Sequence, residues 1–174
     1  ERAWRLARAA REFQRLAPTA IAQLEHAWIM GDQIVAVEDL ERIAGEGLSQ
    51  GMRWSPGRIC FWLWMLGIGS GPLPGIADPY RLVMSGEVSA AAAMLEERGV
   101  PYERAMMLAL GDAAQRQEAL DTLEGLGATA AAARLRQALR ERGIVVTRGR
   151  GRATRSHAAG LTARQQEVLE LLRE

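Results

Sequence analysis

Residues 86–99 of the chain read GEVSAAAAMLEERG. A glycine, an acidic residue, a run of strong helix formers and a second glycine form the pattern of one complete helix with both of its ends. Gly86 suits the left-handed turn that ends a preceding helix, and Glu87 suits the positive N-terminus of the next one. Leu95 supplies an apolar position, and Gly99 ends the helix. The stretch therefore predicts the second half of a helical hairpin.

The same arrangement recurs at residues 31–32 and 111–112, where Gly-Asp stands in place of Gly-Glu. Each copy has a leucine nine positions after the glycine, and Asp112 is followed by Gln115 at the spacing of a capping box. The copies are unevenly spaced, so the repeat is degenerate. It predicts an all-α fold, an array of antiparallel helix pairs similar to tetratricopeptide repeats. The second helices of the three pairs are expected to stop at Gly45, Gly99 and Gly125.

Composition agrees with a helical fold. The chain has 174 residues, of which 30 are alanine and 21 leucine, and all 22 of its basic residues are arginine. The absence of lysine excludes sites that need one, such as a Walker A loop or a Schiff base. Cys60 is the only cysteine, which excludes a disulfide scaffold and fits a reducing cytoplasm.

Apolar periodicity predicts further helices outside the repeats. One is expected over residues 2–16 and another over 19–30, with a break at Pro18 between them. Residues 129–142 predict a helix with Thr129 as its N-cap. The apolar run over residues 59–69 is too short to span a membrane, and it predicts a buried helix that begins after Pro56. A loop is expected over residues 69–79 and a short helix over residues 79–85.

Charge divides the chain into two parts. Residues 1–133 carry 12 arginines and 17 acidic residues, whereas residues 134–174 carry 10 arginines and 4 acidic residues. Residues 144–159 are rich in arginine and glycine and show no helical period, which is typical of a flexible basic linker. The predicted domains are a helical-repeat domain over 1–143, this linker, and the start of another helical domain over 160–174. The linker arginines are expected to contact DNA phosphates or to act only as a soluble spacer: Arg148, Arg150, Arg152 and Arg155.

Residues 160–172 read GLTARQQEVLELL. Thr162 is a predicted N-cap with Gln165 three residues later, and an apolar face follows. The segment resembles the first helix of the LuxR-type helix-turn-helix domain, whose pattern is L-T-x-R-E-x-E-V-L-x-L-L. Gln165 departs from the usual glutamate. The matching scaffold positions are Leu161, Thr162, Arg164, Glu167, Val168, Leu169, Leu171 and Leu172.

The residues before the linker also resemble the last repeat of the large regulators of this family, over about 75 C-terminal residues in all. The resemblance implies an N-terminal nucleotide-binding domain, a helical-repeat sensor and a C-terminal helix-turn-helix. It also implies that the base-reading helix follows residue 174 and that any nucleotide site precedes residue 1. No cofactor is expected in this chain. The expected partners are DNA, through the C-terminal domain, and a protein or peptide on the helical array, with no membrane; whether the chain also forms a homo-oligomer is left open by the sequence.

Four aromatic residues lie close together in sequence: Trp54, Phe61, Trp62 and Trp64. Their helical spacing is more typical of core packing, and the alternative is that they line a groove for an inducer or peptide. Trp62 and Trp64 cannot share one face of a helix, so at least one of them is expected near the surface.

No enzyme chemistry is predicted. The serines lack a nucleophile-elbow context, Cys60 lies in an apolar run, and His26 and His157 are too far apart in sequence to suggest a metal site. The function expected is therefore the sensor or scaffold region of a LuxR-type transcriptional regulator in the cytoplasm. The alternative is a repeat scaffold for protein–protein interaction with no role at DNA.

Overall fold

The structure is a computed structural model that describes residues 12–34 and 36–144. Every regular element in these residues is an α-helix, which confirms the predicted all-α helical array. The first part of the predicted helix over residues 2–16, up to residue 11, lies outside the described residues, as do the linker beyond Ile144 and the helix-turn-helix segment. The helices are α1 (Phe13–Met30), α2 (Val37–Ser49), α3 (Trp54–Met65), α4 (Asp78–Met84), α5 (Val88–Glu97), α6 (Pro101–Leu108), α7 (Ala113–Gly125) and α8 (Thr129–Glu141).

Each helix packs against its neighbours in sequence. Helix α3 contacts α1, α2 and α4, and helices α4 to α8 follow one another as successive packed pairs. Helix α1 also contacts α8, so the first and last described helices meet. Arg134 on α8 donates from Nε to the backbone oxygen of Trp28 on α1 at 2.9 Å. The array therefore closes into a ring, unlike an open stack in which each repeat touches only the next.

Alanine accounts for much of the core in the second half of the ring. Ala91, Ala105, Ala119 and Ala132 are all buried where successive helices meet. Small side chains at these contacts let helix axes approach closely, because the interaxial distance depends on the residues between them. Ile144, the first residue of the predicted linker, packs against this core.

Pro18 lies inside α1, so the predicted break between two helices is wrong. A proline removes one backbone hydrogen bond and crowds the carbonyl four residues earlier, which disfavours a helix interior. Here the helix is held on both sides of the proline, because Leu16 and Ala20 are buried in the core. Thr19 Oγ1 also donates to the backbone oxygen of Arg15 at 2.8 Å. Tertiary packing thus outweighs the local preference.

The repeat glycines divide into two kinds. Gly31 and Gly86 are left-handed, with φ of 76° and 90°, as predicted. Gly111 is not, and that part of the prediction is wrong. A Cβ on Gly111 would lie 2.0 Å from Gln115 Oε1, so the missing side chain makes room for the capping box instead. That box is confirmed: Asp112 and Gln115 exchange two hydrogen bonds of 2.9 Å between side chain and backbone.

Other predicted caps are not made, and α2, α5 and α8 begin without a side-chain cap. Asp32 lies five residues before Val37 and instead bonds back to the end of α1 through its N–H and the oxygen of Ala27, at 3.0 Å. Glu87 occupies the N-cap position of α5 but its side chain does not reach the backbone. Thr129 is the first residue inside α8 rather than its cap.

The predicted helix ends are partly correct. Gly99 follows the end of α5 with a φ of 66°, as expected. Gly45 does not end α2, which continues to Ser49 because Leu48 still packs against the core. Gly125 is the last residue of α7, and the left-handed turn falls on Gly127 instead.

Helix α3 holds most of the longest apolar run, and Ile59 through Leu63 are buried as expected. It begins at Trp54, two residues before Pro56. The predicted loop follows it and the short helix α4 comes next. Among the described residues, no helix combines the length and apolarity needed to cross a bilayer.

Candidate functional site

A cavity of about 130 Å³ lies inside the ring between α1, α3, α4 and α6. Each of the four helices contributes side chains to it. Because it combines aromatic, aliphatic and charged groups in one small space, it is the strongest candidate for a binding site in the described residues. The lining residues are Ile21, Glu25, Arg58, Phe61, Trp62, Tyr80, Tyr102, Glu103, Met106 and Met107.

One part of the cavity lining is apolar and aromatic. Phe61 and Trp62 are buried, and their ring centroids lie 5.5 Å apart in an edge-on arrangement. Phe61 also lies 6.2 Å from the ring of Tyr80. Met106 and Met107, both buried on α6, complete this apolar wall. Such contacts fix the ring positions, so the wall is largely preformed.

The polar part of the cavity lining is centred on Glu103. Tyr80 donates its hydroxyl hydrogen to Glu103 Oε2 at 2.6 Å. Arg58 forms an ion pair with Oε1 of the same carboxylate. The Glu103 side chain is 17% exposed and that of Arg58 is 43% exposed, so the arginine lies closer to solvent than the carboxylate. This group joins α3, α4 and α6.

A second polar pair also lines the cavity. Tyr102 on α6 donates its hydroxyl hydrogen to Glu25 Oε1 on α1. Among the described residues Glu25 has no ion-pair partner, whereas Glu103 has Arg58. The charged groups that line the cavity therefore sum to about one negative charge, which resides on Glu25.

Both phenols are held in the protonated form. Burial raises the pKa of Tyr80 to about 12, against the opposing effect of the nearby Arg58. Burial and the hydrogen bond to Glu25 raise the pKa of Tyr102 above its ordinary value. At neutral pH both groups therefore act as hydrogen-bond donors to their carboxylates.

Local sequence explains how these residues reach the cavity. Pro101 begins α6, where its missing N–H costs nothing, and this places Tyr102 and Glu103 in the first turn. Gly57 on α3 allows Tyr80 to lie against the helix, because a Cβ at that position would be 2.3 Å from the Tyr80 ring. The close approach of α3 and α4 thus depends on a glycine.

The four aromatic residues singled out from the sequence do not form one groove. Phe61 and Trp62 line the cavity. Trp54 does not line it; its ring lies 5.9 Å from that of Tyr80, and the Arg98 guanidinium lies 3.9 Å from the Trp54 ring centroid. Trp64 is 36% exposed whereas Trp62 is 5% exposed, which confirms that the two tryptophans cannot share one face.

Sequence reasoning missed the polar half of the cavity, which consists of Glu25, Arg58, Tyr80, Tyr102 and Glu103. One signal was present: the chain has only two tyrosines, and both line this cavity. In a chain rich in alanine, leucine and arginine, the two tyrosines indicate positions where a large aromatic side chain packs and its hydroxyl finds a hydrogen-bond partner.

The remaining predicted site residues are not described by the structure. The linker arginines at 148, 150, 152 and 155 and the helix-turn-helix positions between 161 and 172 lie outside the described residues. Within the described ranges, no three histidine, cysteine, aspartate or glutamate side chains come together as a metal site. Cys60 is buried, and burial raises the pKa of its thiol.

Comparison of the chain with protein-family models, with curated proteins and with solved structures found no match. The cavity and the sequence motifs are therefore the basis for a functional proposal.

Proposed function

We propose that this chain is the sensor or scaffold region of a DNA-binding transcriptional regulator of the LuxR type. Ligand or partner binding on the helical array is relayed to a C-terminal helix-turn-helix domain. The observation that carries the proposal is the match of residues 161–172 to the first helix of that domain, downstream of a helical array. The proposal places the protein in the cytoplasm, with DNA and a signal molecule or protein as its partners.

A path of contacts supports a relay from the cavity to α8. Trp62 lines the cavity, and its ring centroid lies 5.7 Å from that of Trp28 on α1. Arg134 on α8 places its guanidinium 5.7 Å from the Trp28 ring and donates to the Trp28 backbone oxygen. Because α8 leads into residues 145–174, a ligand that shifts Trp62 is expected to disturb one of the contacts between α1 and α8, the last described helix. Such a ligand can shift the position of α8 only if it binds one arrangement of Trp62 and Trp28 more tightly than the other.

The proposal is tested by chromatin immunoprecipitation of the whole encoded protein. We expect enrichment at a small number of discrete promoter sites. A variant with Val168→Asp and Leu172→Asp places charges on the predicted apolar face of the first helix-turn-helix helix and should lose these sites. The control variant Gln166→Ala changes a position outside the motif and should keep them.

Absence of discrete sites, or an identical pattern for the double variant, would overturn the proposal. The chain would then be better explained as a protein-interaction scaffold with no role at DNA. That alternative predicts a partner protein that copurifies with the array and does not depend on residues 160–174.

The linker arginines provide a separate measurement. If they contact phosphates, replacing Arg148, Arg150, Arg152 and Arg155 with glutamine should weaken binding to all DNA sequences equally. The slope of log affinity against log salt should flatten by about 0.9 for each phosphate that is no longer neutralised, or by about 3 to 4 in total. An unchanged slope would contradict phosphate binding by these arginines and leave the linker as a spacer.

A further inference from the structure

The cavity has an unbalanced charge. Arg58 is already paired with Glu103, which also accepts a hydrogen bond from Tyr80. Glu25 receives a hydrogen bond from the neutral Tyr102, and no cation among the described residues pairs with it. A half-buried carboxylate without a counter-ion favours any ligand that brings a positive charge.

The size and walls of the cavity restrict that ligand further. A volume of about 130 Å³ is close to that of an engineered protein cavity, about 150 Å³, which holds a benzene ring. The apolar wall presents Phe61, Trp62, Met106 and Met107. Aromatic faces and polarisable methionines stabilise both an apolar group and an organic ammonium close to it.

We propose that the cavity binds a small organic monocation, an amine that carries one ring-sized or short aliphatic group. The ammonium pairs with Glu25, and the apolar group lies against Phe61 and Trp62. Tyr80 and Tyr102 hold the two carboxylates in place by hydrogen bonds. The role of the amine as a signal molecule rests on the proposed function.

Other ligand classes fit less well. An anion would meet the uncompensated charge of Glu25, while Arg58, the one cation among the described lining residues, is engaged with Glu103. A neutral apolar ligand would remove water from the Glu25 carboxylate without supplying a hydrogen bond or a positive charge to replace it. A metal ion would need more ligands than the two carboxylates, and no three metal-ligating side chains come together in the described ranges.

The test is isothermal titration calorimetry with the 174-residue chain and three cations: benzylamine, n-butylamine and tetramethylammonium. Tryptophan fluorescence provides a second readout because Trp62 lines the cavity. Benzyl alcohol serves as the neutral analogue of benzylamine. We expect saturable one-to-one binding of at least one cation, and binding of benzyl alcohol that is weaker by about tenfold or more.

Three variants assign the binding to the cavity. Glu25→Gln keeps an acceptor for Tyr102 and removes the charge, and it should weaken amine binding between about tenfold and about a hundredfold. Arg58→Gln removes the positive charge that lines the described cavity and should tighten amine binding about threefold. The control Glu97→Gln changes an exposed carboxylate on α5 and should have no effect. Circular dichroism and thermal melting check that each variant is folded.

The proposal is overturned if none of the three cations binds up to about 10 mM, a range that would still reveal millimolar affinities. It is also overturned if benzyl alcohol binds as well as benzylamine, or if folded Glu25→Gln binds as well as the unchanged chain. Amine binding that leaves promoter occupancy unchanged supports the site and contradicts the relay, so the two proposals fail separately.

Discussion

The buried phenol of Tyr80 and the partly buried phenol of Tyr102 make the stability of the chain sensitive to alkaline pH. The pKa of Tyr80 is raised to about 12 in the folded chain, whereas an unfolded tyrosine ionises near 10. A raised folded-state pKa gives stability that is complete below pH 10 and is lost as the pH rises through the folded value. Tyr80 alone should therefore lower the free energy of unfolding by about 2 kcal/mol between pH 10 and pH 12.

Ultraviolet titration of tyrosinate checks this directly, because the chain has only two tyrosines and the pKa of both is raised. The folded chain should show no ionisation near pH 10, and the chain in denaturant should show its ordinary transition. Tyr80→Phe should remove the Tyr80 share of the pH-dependent loss of stability, and Tyr102, whose pKa is also raised, should account for the rest. A normal tyrosine transition in the folded chain would contradict the burial of these hydroxyls.

Gly57 and Gly45 form a matched pair of helical glycines with opposite expected responses. A Cβ at Gly57 would lie 2.3 Å from the ring of Tyr80, whereas a Cβ at Gly45 meets nothing within 4 Å. Gly57→Ala should therefore lower the free energy of unfolding by about 1–3 kcal/mol, because the Tyr80 ring must move. Gly45→Ala should raise it by up to about 1 kcal/mol, since alanine is the better helix former.

Urea denaturation of the two variants provides the measurement. Gly57→Ala should also change the cavity, since a displaced Tyr80 can no longer donate to Glu103. Equal effects from the two substitutions would mean that α3 and α4 are not in close contact at this point.

Among the described helices, α7 is the one that begins with a capping box, formed by Asp112 and Gln115. Asp112→Ala should cost about 1 kcal/mol, and Asp112→Asn should cost much less, because asparagine is also a good N-cap. Glu87→Ala at the equivalent position of α5 should change stability by less than about 0.5 kcal/mol, because that side chain makes no cap. Thermal melts compare the three variants, and a larger loss for Glu87→Ala than for Asp112→Ala would contradict the assigned caps.

Features that depend on residues close together in sequence could be predicted, and features that depend on residues far apart could not. The box of Asp112 and Gln115 and the turn at Gly86 depend on a few adjacent residues, so their patterns are visible. The helix start at Val37 and the passage of α1 through Pro18 depend on packing partners elsewhere, and local preference misjudged both.

The cavity likewise depends on residues that are far apart in sequence. Tyr102 and Glu25 are separated by 77 positions, and Tyr80 and Glu103 by 23. No local spacing brings such pairs together, since their meeting depends on the curvature of the whole array. The aromatic cluster was visible because Phe61 and Trp62 are adjacent, but the charged half that gives the cavity its chemistry was not.

At the scale of the molecule, Arg134 on α8 donates a hydrogen bond to Trp28 on α1 across 106 positions, within the contact between the two helices that closes the ring. Arg134→Gln removes the charged donor and the guanidinium that lies near the Trp28 ring. The amides of α8 should then exchange with solvent about tenfold faster, a change expected from the removal of one charge-assisted hydrogen bond. The amides of α5 and α6 should keep their protection, because those helices pack mainly on each other and on α4 and α7.

The control is Arg140→Gln, which removes an exposed arginine from the same helix and should leave exchange unchanged. If both variants exchange alike, α8 is held by its packing on α7 and α1, with Leu135 and Leu139 buried, and the Arg134 hydrogen bond does not stabilise the ring measurably. If only Arg134→Gln loosens α8, the contact of Arg134 with Trp28 contributes to holding the helix that leads into residues 145–174. A ligand that displaces Trp62, which packs on Trp28, would then act on α8 through the same contact.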